Sequence, residues 1–156
     1  MKRQYRHSRE YLVLVVLVAL AIALLVFFLT RGQEDINFCR RTIFGGLVSG
    51  RQSVKEFIDW EHFKGLGLDF AEAYARLPNT QERQAYQQAF VASFSLAFKR
   101  LKGRSAAFTN WRIYRKADQE VVVAADYPAQ KKTLLFTFSK GGGIRKLVAL
   151  EWKDRQ

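Results

Sequence analysis

Asp59, Glu61 and His62 surround Trp60 and form the best candidate cluster for acid–base chemistry in the chain. Asp59 and His62 are three residues apart, so on a helix they share a side. Set in an apolar pocket, such a pair could abstract a proton or activate water on a small apolar substrate. The competing reading is an amphipathic helix with its charges in water, and it outweighs the catalytic one. A second pair is Asp126, at a strand end, with Tyr114. A carboxylate with a phenol donor suits proton shuffling, but Pro128 follows closely and favours an aspartate that caps a turn. Cys39 with His62 is a conceivable nucleophile and base, yet no helper motif surrounds the thiol. A lone cysteine of this kind reads better as a small buried hydrophobe. Gly141-Gly142-Gly143 lacks the Lys-Ser/Thr that follows a phosphate loop, and reads as a hairpin turn. With two histidines and one cysteine, no metal site and no Ser-His-Asp arrangement is expected. The chain is therefore expected to be neither an enzyme nor a cofactor binder.

The elements that must position these residues begin with an unbroken apolar run, Tyr11 to Leu29, free of charge, Gly and Pro. As a helix it would be roughly 28 Å long, close to the hydrocarbon thickness of a bilayer. Lys2, Arg3, Arg6 and Arg9 precede it, opposed by Glu10. That bias predicts a cytoplasmic tail (1–10), a single-pass transmembrane helix (11–30) in contact with lipid, and an exported, periplasmic-type domain (31–156). The only A-x-A, at Ala19 to Ala21, lies mid-run, so a retained signal-anchor is expected rather than a cleaved signal peptide.

The formal net charge is +12. Residues 31–156 hold 22 Lys and Arg against 13 Asp and Glu, or +9. In a cytosolic protein this would point to nucleic acid. Beyond an inner membrane it points instead to acidic lipid or an acidic partner, and no nucleic acid is expected. Lys99, Arg100, Lys102 and Arg104 crowd one helix end, where cations meet the helix dipole. Lys131, Lys132, Lys140, Arg145 and Lys146 flank hairpin turns, and with the helix-end set they could form one basic face.

Helical spacing covers 35–48, then 54–62 with Ser53 as N-cap and Glu56 completing a capping box, then 69–77. The strongest helix starts at Thr80. Its Tyr86, Phe90, Phe94 and Phe98 recur every four residues, a core seam rather than a cofactor box. After Gly103 the pattern becomes extended. FTNWRIYRK, EVVVAADY, KTLLFTFSK and IRKLVALEWK read as four strands of an antiparallel meander joined by short turns. Leu134, Phe136 and Phe138 share one face and can receive the Phe90/Phe94 seam. The expected fold class is α+β, three to four helices packed on a curved antiparallel sheet of about four strands.

RRTIFGGLVSGRQSVKEFIDW (40–60) and LLFTFSKGGGIRKLVALEW (134–152) carry a pattern that resembles the nuclear transport factor 2-like superfamily of cystatin-like cones. The resemblance spans nearly all of residues 35–153. It implies a cone whose mouth can hold a small molecule. A pocket would be lined by Trp111, Phe136 and Phe94, with Asp126 and Tyr114 as the polar pair. It does not imply activity, because such cones host enzymes, carriers and interaction domains. Membrane-anchored members with this layout serve as scaffold subunits of secretion systems. The expected role is a membrane-anchored accessory or scaffold subunit bound to another membrane or envelope protein, with a small apolar-ligand carrier or sensor as the alternative.

Overall fold

The computed structural model describes residues 4–155, except for the side chains of 4–13, 27–31 and Gly142. The chain divides into two units, Met1–Glu34 and Asp35–Gln156. The described residues of the first, from Gln4 onward, belong to helix α1 (Gln4–Asn37). Every large apolar side chain from Leu14 to Val26 is at least half exposed. Among the described residues no helix is long and apolar enough to cross a membrane. The ends of the apolar run, 11–13 and 27–29, and the basic tail, 1–10, carry side chains outside the described residues.

The second unit is α+β. The end of α1 leads into a π-helical turn, Phe38–Phe44, and then α2 (Gly45–Ser49). The i→i+5 bonding of the π turn widens the helix. Residues four and five apart then lie side by side, so Cys39, Ile43, Phe44 and Leu47 are all buried. Gly50, at φ 76°, ends α2 in the left-handed region, where a Cβ would be strained.

The segment expected to be a capped helix over 54–62 is not one. Gln52–Phe57 is a 3₁₀ turn, and its N-cap, Arg51, makes no side-chain cap bond. Ile58 bridges to Leu147 of the sheet, and Asp59 N donates to Leu147 O at 3.0 Å. Sheet pairing wins because it buries Ile58 and Trp60 while satisfying the backbone. The reason α2 can lie so close is Gly46. A Cβ there would stand 2.9 Å from Val54 Cβ. Gly46→Ala is expected to lose about 1–3 kcal/mol to this overlap, more than the ~1 kcal/mol that alanine returns in a helix. Urea unfolding checks it, and Val54→Ala in the same chain is not expected to restore the loss, because alanine keeps the Val54 Cβ that the new methyl group meets.

Two short strands follow that the sequence pattern did not register. β1 (Lys64–Gly65) and β2 (Leu68–Asp69) form a tight hairpin with Leu66 and Gly67 at its tip. α3 (Phe70–Ala75) is capped by Asp69, whose carboxylate accepts from Glu72 N at 3.0 Å. α4 (Thr80–Arg100) is capped reciprocally: Asn79 Oδ1 accepts from Glu82 N, and Asn79 Nδ2 donates to the Glu82 carboxylate.

β3 (Thr109–Lys116), β4 (Glu120–Tyr127), β5 (Lys132–Ser139) and β6 (Lys146–Asp154) form the expected antiparallel meander. The sheet nevertheless has six strands in the order β2-β1-β6-β5-β4-β3 and is mixed, because β1 runs parallel to β6. β1 and β2 escape a sequence reading because two residues hold no period. At one end of the sheet, buried Asp35 is held by Arg145 Nε at 2.7 Å and Lys116 Nζ at 3.3 Å.

Candidate functional site

The α4 seam meets the sheet differently from the expectation: Phe94 and Phe98 border Leu134 of β5, whereas Phe136 and Phe138 pack on Phe44 and Phe38 of the π turn. Phe90 packs edge-on to Trp60, Phe63 and Phe70, with ring centres 4.9–5.5 Å apart. Farther along, Phe44 of the π turn fills the space between α4 and the sheet. Its ring lies 4.7 Å from Phe108, 5.4 Å from Trp111, and 6.0 Å from both Phe98 and Phe136. Trp111 stacks on Phe136 at 5.7 Å and donates Nε1–H to Phe108 O. The space between α4 and the sheet is therefore filled by the protein's own rings.

What remains is a shallow apolar recess of 180 Å³ bounded by Phe94, Phe98, Leu101, Phe108, Leu66 and Trp152, with Leu134 and Leu150 in its floor. Its shape depends on a Schellman cap at the end of α4. Gly103 N donates to Phe98 O, and Lys102 N to Lys99 O, both at 2.9 Å. Lys102 is left-handed at φ 51°, and a Cβ on Gly103 would meet the Phe98 ring at 2.8 Å. The cap leaves Leu101 83% exposed on the rim. Across from it, Leu66 and Gly67 both have positive φ, 54° and 84°, so the hairpin tip is a type I′ turn. Leucine is a poor residue there, and this one is 45% exposed.

The five residues expected to line one pocket are divided between the two faces of the sheet. Trp111 and Phe136 lie on the helix-facing side but are packed together, and only Phe94 borders the recess. Asp126 and Tyr114 are on the outer face. The division is made by a β-bulge: Asn110 and Trp111 lie between the pairs Thr109↔Asp126 and Arg112↔Ala124, opposite the single Ala125. Asn110, left-handed at φ 50°, turns outward while Trp111 turns in.

Outward, Asp126 is 2% exposed and fully engaged. It accepts from Asn110 Nδ2 at 2.8 Å and from both an Arg112 guanidinium nitrogen and Thr133 Oγ1 at 2.9 Å, with Arg155 at 3.9 Å. Burial opposes the charged form, but the donors from Asn110, Arg112 and Thr133 outweigh it and hold the carboxyl at about 2. Such a group stays ionised at neutral pH and is a weak base. Tyr114 lies across β4 and β5 to accept from Lys153 Nζ, and that hydrogen bond lowers its phenol below the usual value. Asp126 staples β3, β4 and β5 to the segment after β6; it does not face a cavity.

The Asp59 cluster exists as a turn. His62 Nδ1 sits 3.1 Å from Asp59 Oδ1, and the imidazole is 71% exposed. Asp59 borders an open, mostly polar groove of 380 Å³ with Lys55, Glu61 and Lys146. Trp60 turns inward and donates to Lys55 O. Cys39 is buried, which pushes its thiol well above the ordinary value and removes it as a nucleophile. Gly141–Gly143 joins β5 to β6 as a one-turn 3₁₀ hairpin connection.

The expected single basic face divides as well. Antiparallel register puts Lys131 and Lys132 at the end of the sheet where Tyr127 pairs with Lys132, the end that receives the α4 C-terminus. Arg145 and Lys146 lie at the other end, roughly 20 Å away along eight-residue strands. Lys99, Arg100, Lys102 and Arg104 therefore group with Lys131 and Lys132 beside the recess, and Arg145 is committed to Asp35. From Arg83 to Ala117 the chain contains eight Lys and Arg and no Asp or Glu. A third groove, 560 Å³ and open, lies between Arg40, Arg41 and Trp111. Among the described residues no cluster of His, Cys, Asp and Glu could hold a metal.

No protein-family model, curated protein or solved structure matches the chain.

Proposed function

We propose that the chain is a single-pass, membrane-anchored accessory or scaffold subunit. Its N-terminus is cytoplasmic and its second unit, exported to the periplasmic side, binds another membrane or envelope protein. The observation that carries this reading is the pairing of a long exposed apolar helix with a domain whose core is filled by its own aromatic rings. Leu14 to Val26 present apolar side chains all round, and the sequence extends that run to nineteen residues, Tyr11 to Leu29. A helix apolar on every side requires an apolar surrounding.

The order of elements, helices followed by a curved meander, supports a nuclear transport factor 2-like cone for the second unit. The apolar recess of 180 Å³ falls below the ~300–1,000 Å³ usual for small-molecule sites, and the two grooves within that range, 380 and 560 Å³, are open and substantially polar, which favours a binding surface over an apolar-ligand carrier. An Asp126 held ionised by Asn110, Arg112 and Thr133 and an Asp59–His62 pair open to water favour a non-enzymatic role.

The test is fractionation of the full chain in its native membrane. The chain is expected to stay with the membrane through an alkaline carbonate wash. Protease added from the exported side is expected to degrade the second unit. Amine-reactive crosslinking, through the many surface lysines, is expected to yield a discrete heteromeric band. Release by carbonate, or a monomer alone after crosslinking, would sink the reading.

A further inference from the structure

We infer that the recess at the α4 C-terminus is a docking site for one bulky apolar side chain, presented by an acidic segment of a partner protein. The inference rests on the scaffold reading above and names the partner's chemistry. Three independent features converge on it. The first is size and lining. An apolar cavity of about 150 Å³ is enough to hold benzene, so 180 Å³ lined by Phe94, Phe98, Phe108 and Trp152 accepts a single aromatic or leucine anchor.

The second feature is backbone strain. Leu66 occupies the first central position of a type I′ turn, where Asn, Asp or Gly avoids the left-handed penalty. Folding alone gives no reason for leucine there, since the side chain is 45% exposed at the rim of the recess. A strained residue that presents an apolar surface to a recess is what a binding site requires.

The third feature is charge. Lys99, Arg100, Lys102 and Arg104 flank exposed Leu101 on the rim, and none of them is ion-paired among the described residues. The nearest acid on the hairpin, Asp69, is paired with Lys64 at 3.2 Å. An acidic segment satisfies this rim. A second copy of the chain would bring the same cations face to face. Phe94, Phe98 and Phe108 lie recessed behind the exposed Leu101 and Trp152, which suits one inserted side chain better than a flat lipid surface.

The experiment replaces Leu101 with the photocrosslinker p-benzoylphenylalanine in the full chain in native membranes, and maps the crosslinked peptide by mass spectrometry. The expected product joins this position to a different protein, at a bulky apolar residue flanked by Asp or Glu. Yield is expected to fall about tenfold in Leu66→Asn and in Lys99→Glu/Lys102→Glu, and to fall with added salt. Leu66→Asn relieves the turn, so its unfolding midpoint is expected to equal or exceed that of the parent. A loss of capture therefore cannot come from unfolding. Crosslinks to lipid, to a second copy, to a segment without acids, or none at all would overturn the inference, as would undiminished capture by Leu66→Asn. If amine-reactive crosslinking still traps a heteromeric partner in those cases, the scaffold reading stands and the site alone falls. If neither trap yields a partner, both fall.

Discussion

Phe44→Ala is expected to lower the stability of the second unit by about 3–5 kcal/mol, the largest loss of any single truncation considered. The ring is 2% exposed and touches four other aromatic rings, contributed by α4, the turn before β3, β3 itself and β5. None of those neighbours can move into the vacancy without abandoning its own partners. Phe136 is held by Trp111, and Phe108 stacks on Tyr127 at 4.9 Å. The cavity would therefore persist, and its cost adds to the lost transfer energy. For a domain of this size the loss corresponds to a fall in Tm of roughly 10–20 °C. Phe44→Leu keeps most of the volume and is expected to lose no more than ~1.5 kcal/mol. Thermal unfolding of the full chain in mild detergent, followed by near-ultraviolet circular dichroism, distinguishes them. Equal midpoints for the two variants would mean that the ring is not the keystone of the aromatic cluster.

The second large effect is at Asp126 and depends on pH. Its carboxyl has an ordinary value of 3.8 and is held at about 2 in the folded chain. A group depressed on folding stabilises the folded state above its unfolded value and loses that contribution as pH falls through its folded value. The difference corresponds to about 2 kcal/mol, present at neutral pH and lost progressively between pH 4 and pH 2. Asp126→Asn is expected to be less stable than the parent at pH 7 by an amount of that order. The gap should close as pH is lowered to 2. Asp126→Ala leaves the Asn110 amide and Thr133 hydroxyl without their acceptor and is expected to lose slightly more, about 2–3 kcal/mol at pH 7. Urea midpoints of the three chains at pH 7, 4 and 2.5 provide the comparison. A gap that stays constant with pH would show that the carboxylate is not ionised through these contacts.

Much of this protein was legible in its sequence because the relevant physics is local. The charge-free run Tyr11 to Leu29, the four-residue recurrence of Tyr86, Phe90, Phe94 and Phe98, and the alternation in KTLLFTFS each extend over enough residues to define a period. The expected β3, β4, β5 and β6 agree with the observed strands to within two residues at each end, and α4 starts at Thr80 as expected. The expected helix over 54–62 failed because Ile58 pairs with the distant β6 segment and Trp60 packs against Tyr74 of α3 and Tyr86 and Phe90 of α4, and these contacts outweigh helical spacing. The capping box at Ser53 and Glu56 was a local signal overridden by that tertiary contact.

The order of residues by itself determined the charge, the apolar run and the α+β class, since each depends only on residue types and their near neighbours. Tertiary structure alone decided which side chains share a place. A single extra residue at Asn110 sends Asp126 and Trp111 to opposite faces, and no composition or period encodes a bulge. Strand register sends Lys131 and Lys132 to one end of the sheet and Lys140, Arg145 and Lys146 to the other. The same closure brings Leu66, Leu101 and Trp152, spread over 86 positions of sequence, to the rim of one recess. That convergence is a property of long-range packing, where the energy lies in contacts between segments that carry no record of one another in their own sequences.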